Sequence, residues 1–233
     1  MTSKDNILLS GWATKDFSLE ELKGYLEKFN PKIIEISKDF VEGDVSIKKT
    51  QKVIKGYKKE NFAKISYAGT TDFANCSGMN FNDYLNYLKI QGSQANFLGC
   101  DFFRVLISGD PKSEINIIGR LNQFQEILGK CKILIEIHGG WEGNIKNTKN
   151  IIGNTGYNFV IDFQNVLESG LNYEKLSKIL PKDRVEYYHD RNLKDYLEHK
   201  NSKIEKEKWG PEEDLLLWEP KKIQKNKILE FVK

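Results

Sequence analysis

The sequence predicts an α/β protein, a single compact (β/α)8 TIM barrel covering residues 1–233. Three observations predict it. Eight apolar runs recur along the chain, each six or seven residues long and rich in Ile, Val, Leu and aromatics. Runs of that length without polar alternation are buried strands. Segments of helical character separate most of them, and strand–helix alternation builds parallel β/α units. Eight such units occupy about 250 residues, and the chain has 233. The rival is a doubly wound open sheet, which carries a glycine-rich phosphate turn after its first strand. GWATKDFS, at 11–18, is not such a turn.

The elements follow in order. ILLSGW (7–12) is the first strand. Ser18-Leu19-Glu20-Glu21 is a capping box, and Leu19, Leu22, Tyr25 and Leu26 give the helix behind it an apolar stripe. KIIEIS (32–37) is the second strand, and the Lys-rich segment 44–61 is the least distinct helix. AKISYAG (63–69) precedes a helix capped by Asn80 or Asn82, with Tyr84, Leu85, Leu88, Phe97 and Leu98 on one side. FFRVLIS (102–108) leads to a helix opened by Pro111 that turns Ile115, Ile117, Ile118, Leu121, Phe124 and Ile127 inward. KILIEIH (132–138) is followed by an Asn- and Gly-rich stretch, 142–157, with a short helix. NFVIDF (158–163), a helix over 171–180, and RVEYYHD (184–190) come next. A charged segment, 192–212, precedes DLLLWEP (214–220) and a last helix over 221–232.

Composition bounds the function. The net charge is +3, from 36 Lys+Arg against 33 Asp+Glu. That balance lacks the basic excess of a nucleic-acid binder, so no nucleic-acid partner is expected. No run reaches the ~18 apolar residues of a membrane span, and the amino-terminal residues do not read as a signal peptide. Cys76, Cys100 and Cys131 are an odd set at wide spacing, with neither a disulfide framework nor zinc-ligand spacing. They read as buried small apolar residues of a cytoplasmic protein. The Lys-rich stretches read as solvated helix faces.

Chemistry in such a barrel sits at the carboxyl ends of the strands. Four consecutive strands end in a side chain able to bind metal: Glu136, Asp162, His189 and Glu219. They lie 26, 27 and 30 residues apart, about one β/α unit each time. One charged residue at a strand end is ordinary, but four in succession form a pattern. Three carboxylates and one imidazole suit one divalent ion, Mn, Mg, Co or Zn. Strand alternation puts Glu136 and His138 on one face, as it does Tyr187, His189 and Arg191. Trp12 and Trp218 stand at strand ends, where they would either wall a sugar ring or pack in the core. Arg104, on the fourth strand, either supports the site or forms a buried ion pair.

The motifs FSLEELKGYLEKFNPKIIEI (17–36), QANFLGCDFFRVLISG (94–109), LIEIH, FVIDF, YYHDR and LLWEP resemble the xylose isomerase-like barrel superfamily, in particular its sugar-phosphate isomerase and epimerase branch. The resemblance spans nearly the whole chain. It implies that Glu136, Asp162, His189 and Glu219 are the four metal ligands, and that the protein is a metal-dependent isomerase or epimerase of a small sugar or sugar phosphate. The implied reaction removes a proton beside a carbonyl through a metal-stabilised enediolate. Glu136 and Glu219 would take and return the proton as catalytic residues, with Asp162 and His189 as ligands only. By the same resemblance His138 and Arg191 would bind substrate, although a loop histidine and a surface arginine paired with Asp190 are the plain readings. Glu35 matches carboxylates of the family's second strand. Homo-dimers or tetramers are usual among the proteins it resembles, though no interface is legible in this sequence.

The chain departs from the family at Asn165, where many members have histidine, and at Asn192, where many have aspartate. A lyase that dehydrates a keto-polyol begins with the same proton abstraction and is the nearest alternative. A non-catalytic barrel is the other alternative, favoured by these two departures, though such a barrel would be expected to lose ligands and all four are present. The endonuclease of this fold uses three metals and several histidines. With three His in the chain and none before residue 138, that class is not expected.

Overall fold

The computed structural model describes residues 7–9, 17–42, 47–69, 72–108, 117–138, 144–162, 165–166, 173–189 and 215–217. All eight expected strands are present: β1 (Ile7–Leu9), β2 (Ile33–Ser37), β3 (Lys64–Ala68), β4 (Phe102–Val105), β5 (Lys132–Ile137), β6 (Asn158–Asp162), β7 (Val185–His189) and β8 (Leu215–Leu217). Between them lie α1 (Leu19–Phe29), α2 (Lys38–Glu42), α3 (Ile47–Asn61), α4 (Phe81–Leu98), α5 (Ile117–Leu128), α6 (Ile145–Asn154) and α7 (Tyr173–Ile179).

Local chemistry sets the helix ends. The Ser18 hydroxyl accepts from the Glu21 N–H at 3.2 Å, and the Glu21 carboxylate accepts from the Ser18 N–H at 2.7 Å. This reciprocal box satisfies two donors that the first helical turn leaves free. Asn80, rather than Asn82, caps α4 by accepting from the Asp83 N–H at 3.0 Å. The same helix stops at Gly99, whose φ of 78° is the left-handed conformation glycine adopts without a Cβ penalty. The Lys-rich segment forms the fifteen-residue α3, because Thr50 and Ile54 give it a buried side.

The strands form one sheet in the order β7-β6-β5-β4-β3-β2-β1-β8, with β1 through β7 all parallel. Each strand feeds two cores, because alternate side chains point to opposite faces. On one face Ile34, Ile36, Ile65, Tyr67, Phe103, Val105, Ile133 and Ile135 pack against Leu22, Leu26, Ile54, Leu88, Leu121 and Phe124 of the helices. On the other, Ile33, Phe102, Leu134, Val160 and Tyr187 form a separate apolar cluster. That second cluster draws on β2, β4, β5, β6 and β7, so the sheet curls and its inner face closes on itself. Lys64 of β3 also reaches Glu186 of β7 at 2.6 Å, beside Asn158, across the same interior.

The eighth strand departs from the expectation of a parallel barrel. It runs antiparallel to β1, pairing Ile7 with Leu217 and Leu9 with Leu215. Among the described residues β7 and β8 approach one another but share no ladder. A run of three leucines specifies burial and offers hydrogen bonds, and neither property fixes direction. The observed architecture is therefore a curled, predominantly parallel α/β sheet with an antiparallel strand on its β1 edge. Among the described residues, no helix is long and apolar enough to cross a membrane.

One close approach fixes the top of β3. A Cβ at Gly69 would lie 2.2 Å from the Phe103 ring. That ring cannot retreat, because it stacks on Tyr67 at 5.2 Å and meets the Phe124 ring edge-on at 4.8 Å. Gly69→Ala is expected to cost about 3 kcal/mol, the upper end of the overpacking range. Urea unfolding checks it, and a change under about 0.5 kcal/mol would refute the close packing.

Candidate metal centre

The site is the next layer above the inner apolar cluster. Two residues beyond Ile33, Phe102, Leu134, Val160 and Tyr187 come Glu35, Arg104, Glu136, Asp162 and His189. The period of two along each strand turns all five inward at the carboxyl ends. Glu35, Glu136, Asp162 and His189 are buried, and the Arg104 side chain is 17% exposed.

His189 is the hub. Its Nδ1 lies 2.9 Å from Glu136 Oε1 and 3.6 Å from Asp162 Oδ2. Its Nε2 lies 3.1 Å from Glu35 Oε1. Arg104 donates to the other oxygen of Glu136 at 2.9 Å and approaches Glu35 at 3.5 Å. The Tyr187 hydroxyl donates to Glu35 at 2.7 Å. The Asn165 backbone N–H donates to Asp162 Oδ1 at 3.0 Å, while Oδ2 faces His189.

These contacts decide the charges. Burial opposes ionisation of Glu136, but the Arg104 guanidinium and the bond to His189 outweigh it and hold the carboxyl below its usual range. Burial likewise opposes a charged His189. The Glu35 carboxylate and the bonds to Asp162, Glu136 and Glu35 overcome it and push the imidazole well above its usual value. Burial and the Glu35 carboxylate push the Tyr187 hydroxyl well up, so it stays a neutral donor.

Three of the four expected ligands therefore meet. One donor atom each from Glu136, Asp162 and His189 lie within 4.8 Å of one another. Ligand distances of about 2.0–2.2 Å place donors on a single ion within about 4.4 Å, so a small contraction suffices. Charge agrees: with His189 neutral, the carboxylates of Glu35, Glu136 and Asp162 against one guanidinium leave two negative charges for a divalent ion to neutralise. The residues present fit the metal.

The carboxylates around His189 favour its protonated form, and a metal bound to the ring would displace that proton. Because a ligating imidazole must be neutral, metal binding would release about one proton at pH values below the ring's raised value. The stability this proton gives the metal-free fold is full below about pH 6.5 and is lost as pH rises through the folded value. Calorimetric titration at pH 7 in buffers of different ionisation enthalpy measures the release, and no release would contradict the charged ring.

His138 sits just past β5, half-exposed, with its Nε2 against the Asn165 amide. Asn165 thus meets both residues, its backbone N–H donating to Asp162 Oδ1 and its side-chain amide lying against His138. Arg104 forms the buried ion pair, with Glu136 at 2.9 Å and Glu35 at 3.5 Å. Glu219, Arg191, Trp12 and Trp218 lie outside the described residues. Tyr187 is the participant that residue types alone pass over. Its signal was parity, two residues before His189 on an inward-facing strand.

No family model and no curated protein sequence matches the chain. Solved structures do. A xylose isomerase domain-containing protein from Salmonella typhimurium LT2 aligns over 99% of this chain and 84% of its own, at TM-score 0.64 and 12% identity. A probable 3-DHS dehydratase of petrobactin synthesis from Bacillus anthracis aligns over 79% and 72%, at TM-score 0.61 and 13% identity. An L-ribulose 3-epimerase aligns over 79% and 69%, at TM-score 0.60 and 12% identity. These alignments show that the chain shares the α/β fold of these proteins, a xylose isomerase domain-containing protein, a dehydratase and a sugar epimerase among them.

Proposed function

We propose that this protein is a divalent-metal-dependent isomerase or epimerase of a small sugar or sugar phosphate, acting by proton abstraction next to a carbonyl. The observation that carries the reading is the convergence of Glu136, Asp162 and His189 at one end of the curled sheet. When bound there, a divalent ion supplies Lewis-acid stabilisation of the charge that develops on a carbonyl oxygen, worth several kcal/mol. Arg104 keeps Glu136 ionised and oriented, as a proton acceptor must be. Asp162 and His189 hold their places through Asn165 and Glu35.

Glu219 completes the proposed ligand set and returns the proton, while His138, Arg191, Trp12 and Trp218 contact the sugar. In the observed pairing the carboxyl end of β8 lies beside Ile7, at the amino end of β1, so the assignment of Glu219 rests on the sequence pattern alone. The protein is proposed to act in the cytoplasm, as a homo-oligomer. The solved dehydratase of the same fold favours one second reading, a lyase on a keto-polyol.

Metal analysis of the purified protein tests the centre. About one divalent ion per chain is expected, and no binding at micromolar metal would overturn the reading. Exchange of substrate α-hydrogen with solvent deuterium across a ketose panel tests the reaction. Exchange without loss of water supports the isomerase or epimerase, and dehydration supports the lyase.

A further inference from the structure

We infer that Glu35 is the positioning residue of the centre: held by Tyr187 and Arg104, it accepts a hydrogen bond from His189 Nε2–H and so directs Nδ1 at Glu136 and Asp162. The inference rests on the proposed metal-binding reading of this site.

A histidine can present either ring nitrogen to a metal. Which one it presents is set by the hydrogen bond that the other makes. Here Nε2 lies 3.1 Å from Glu35 Oε1, on the side of the ring away from Glu136. Glu35 is itself restrained. The Tyr187 hydroxyl donates to the same oxygen at 2.7 Å, and Arg104 Nε lies 3.5 Å from it. Tyr187 is wholly buried, and it belongs to the strand that carries His189. Glu35 comes from β2, so the bond spans the interior between strands far apart in the sheet order. The ring orientation is therefore set by the curl of the sheet and not by β7 alone.

The test uses the full-length chain labelled with 15N histidine. Long-range 1H–15N correlation of the zinc-loaded wild type is expected to show the His189 proton on Nε2 and zinc on Nδ1. Glu35→Leu, which removes the acceptor, is expected to speed exchange of that proton and to weaken zinc about 10–100-fold, as loss of such supporting partners does. Glu35→Gln, which keeps an acceptor oxygen, is expected to recover most of the affinity, and Tyr187→Phe to fall between. A folded Glu35→Leu that binds zinc within twofold of wild type overturns the inference, as does a wild-type proton on Nδ1.

If the wild type binds no zinc, the proposed function fails and the metal-free spectrum judges Glu35 alone. A slowly exchanging Nε2–H supports the bond, and a rapidly exchanging one overturns it. Should Glu35→Leu not fold, the wild-type spectrum still decides.

Discussion

Replacing Arg104 with methionine is expected to lower the stability of the metal-free protein by about 3–5 kcal/mol, the cost of stranding buried charges when one ion-pair partner is removed. Arg104 lies within 3.5 Å of Glu35 and 2.9 Å of Glu136. Methionine fills much of the side-chain volume, so lost packing contributes little and the effect is electrostatic. Without the guanidinium, Glu35 and Glu136 lose the positive charge that lies against both. For a chain of this size the loss corresponds to a fall of roughly 6–20 °C in Tm. A divalent ion should restore part of it, since the variant site carries one more uncompensated negative charge. Thermal unfolding with and without zinc checks both statements. A Tm within 2 °C of wild type would show that the guanidinium does not carry the charge balance of this layer.

Glu136→Gln is expected to weaken divalent metal binding by more than about 100-fold, beyond the range for loss of a supporting partner. The substitution removes a formal charge from the donor set and leaves an amide oxygen, a poorer ligand for a divalent ion. It also removes one carboxylate from Nδ1 of His189, which lies 2.9 Å away. Arg104 retains Glu35 as a counter-charge, so the stability loss should be smaller than in the Arg104 variant. Competition against a chromophoric chelator gives the affinity, and circular dichroism confirms the fold. An affinity within threefold of wild type would remove Glu136 from the ligand set. Glu219→Gln, measured alongside, tests the fourth proposed ligand in the same units.

Most of the framework was legible in the sequence. Period and length are local properties, so the eight strands stand where apolar runs stand, from Ile7–Leu9 to Leu215–Leu217. Capping is local too, and Ser18 and Asn80 begin their helices through bonds to residues three positions on. Strand direction is not local. Leu215–Leu217 pairs antiparallel with β1, and three leucines carry no information against that pairing.

The site divides in the same way. Glu136, Asp162 and His189 could be read from the sequence, because each ends an apolar strand and a charge at such a place needs a reason. What those residues do to one another could not. The bond from Tyr187 to Glu35 joins residues 152 positions apart, and that from Arg104 to Glu136 joins residues 32 apart. Only the curl of the sheet brings them into one layer. The sequence by itself determined which chemical groups stand at the strand ends. The tertiary structure decided their protonation and orientation, because both depend on burial and on the nearest opposite charge, and neither exists until β2 and β7 face each other across the interior.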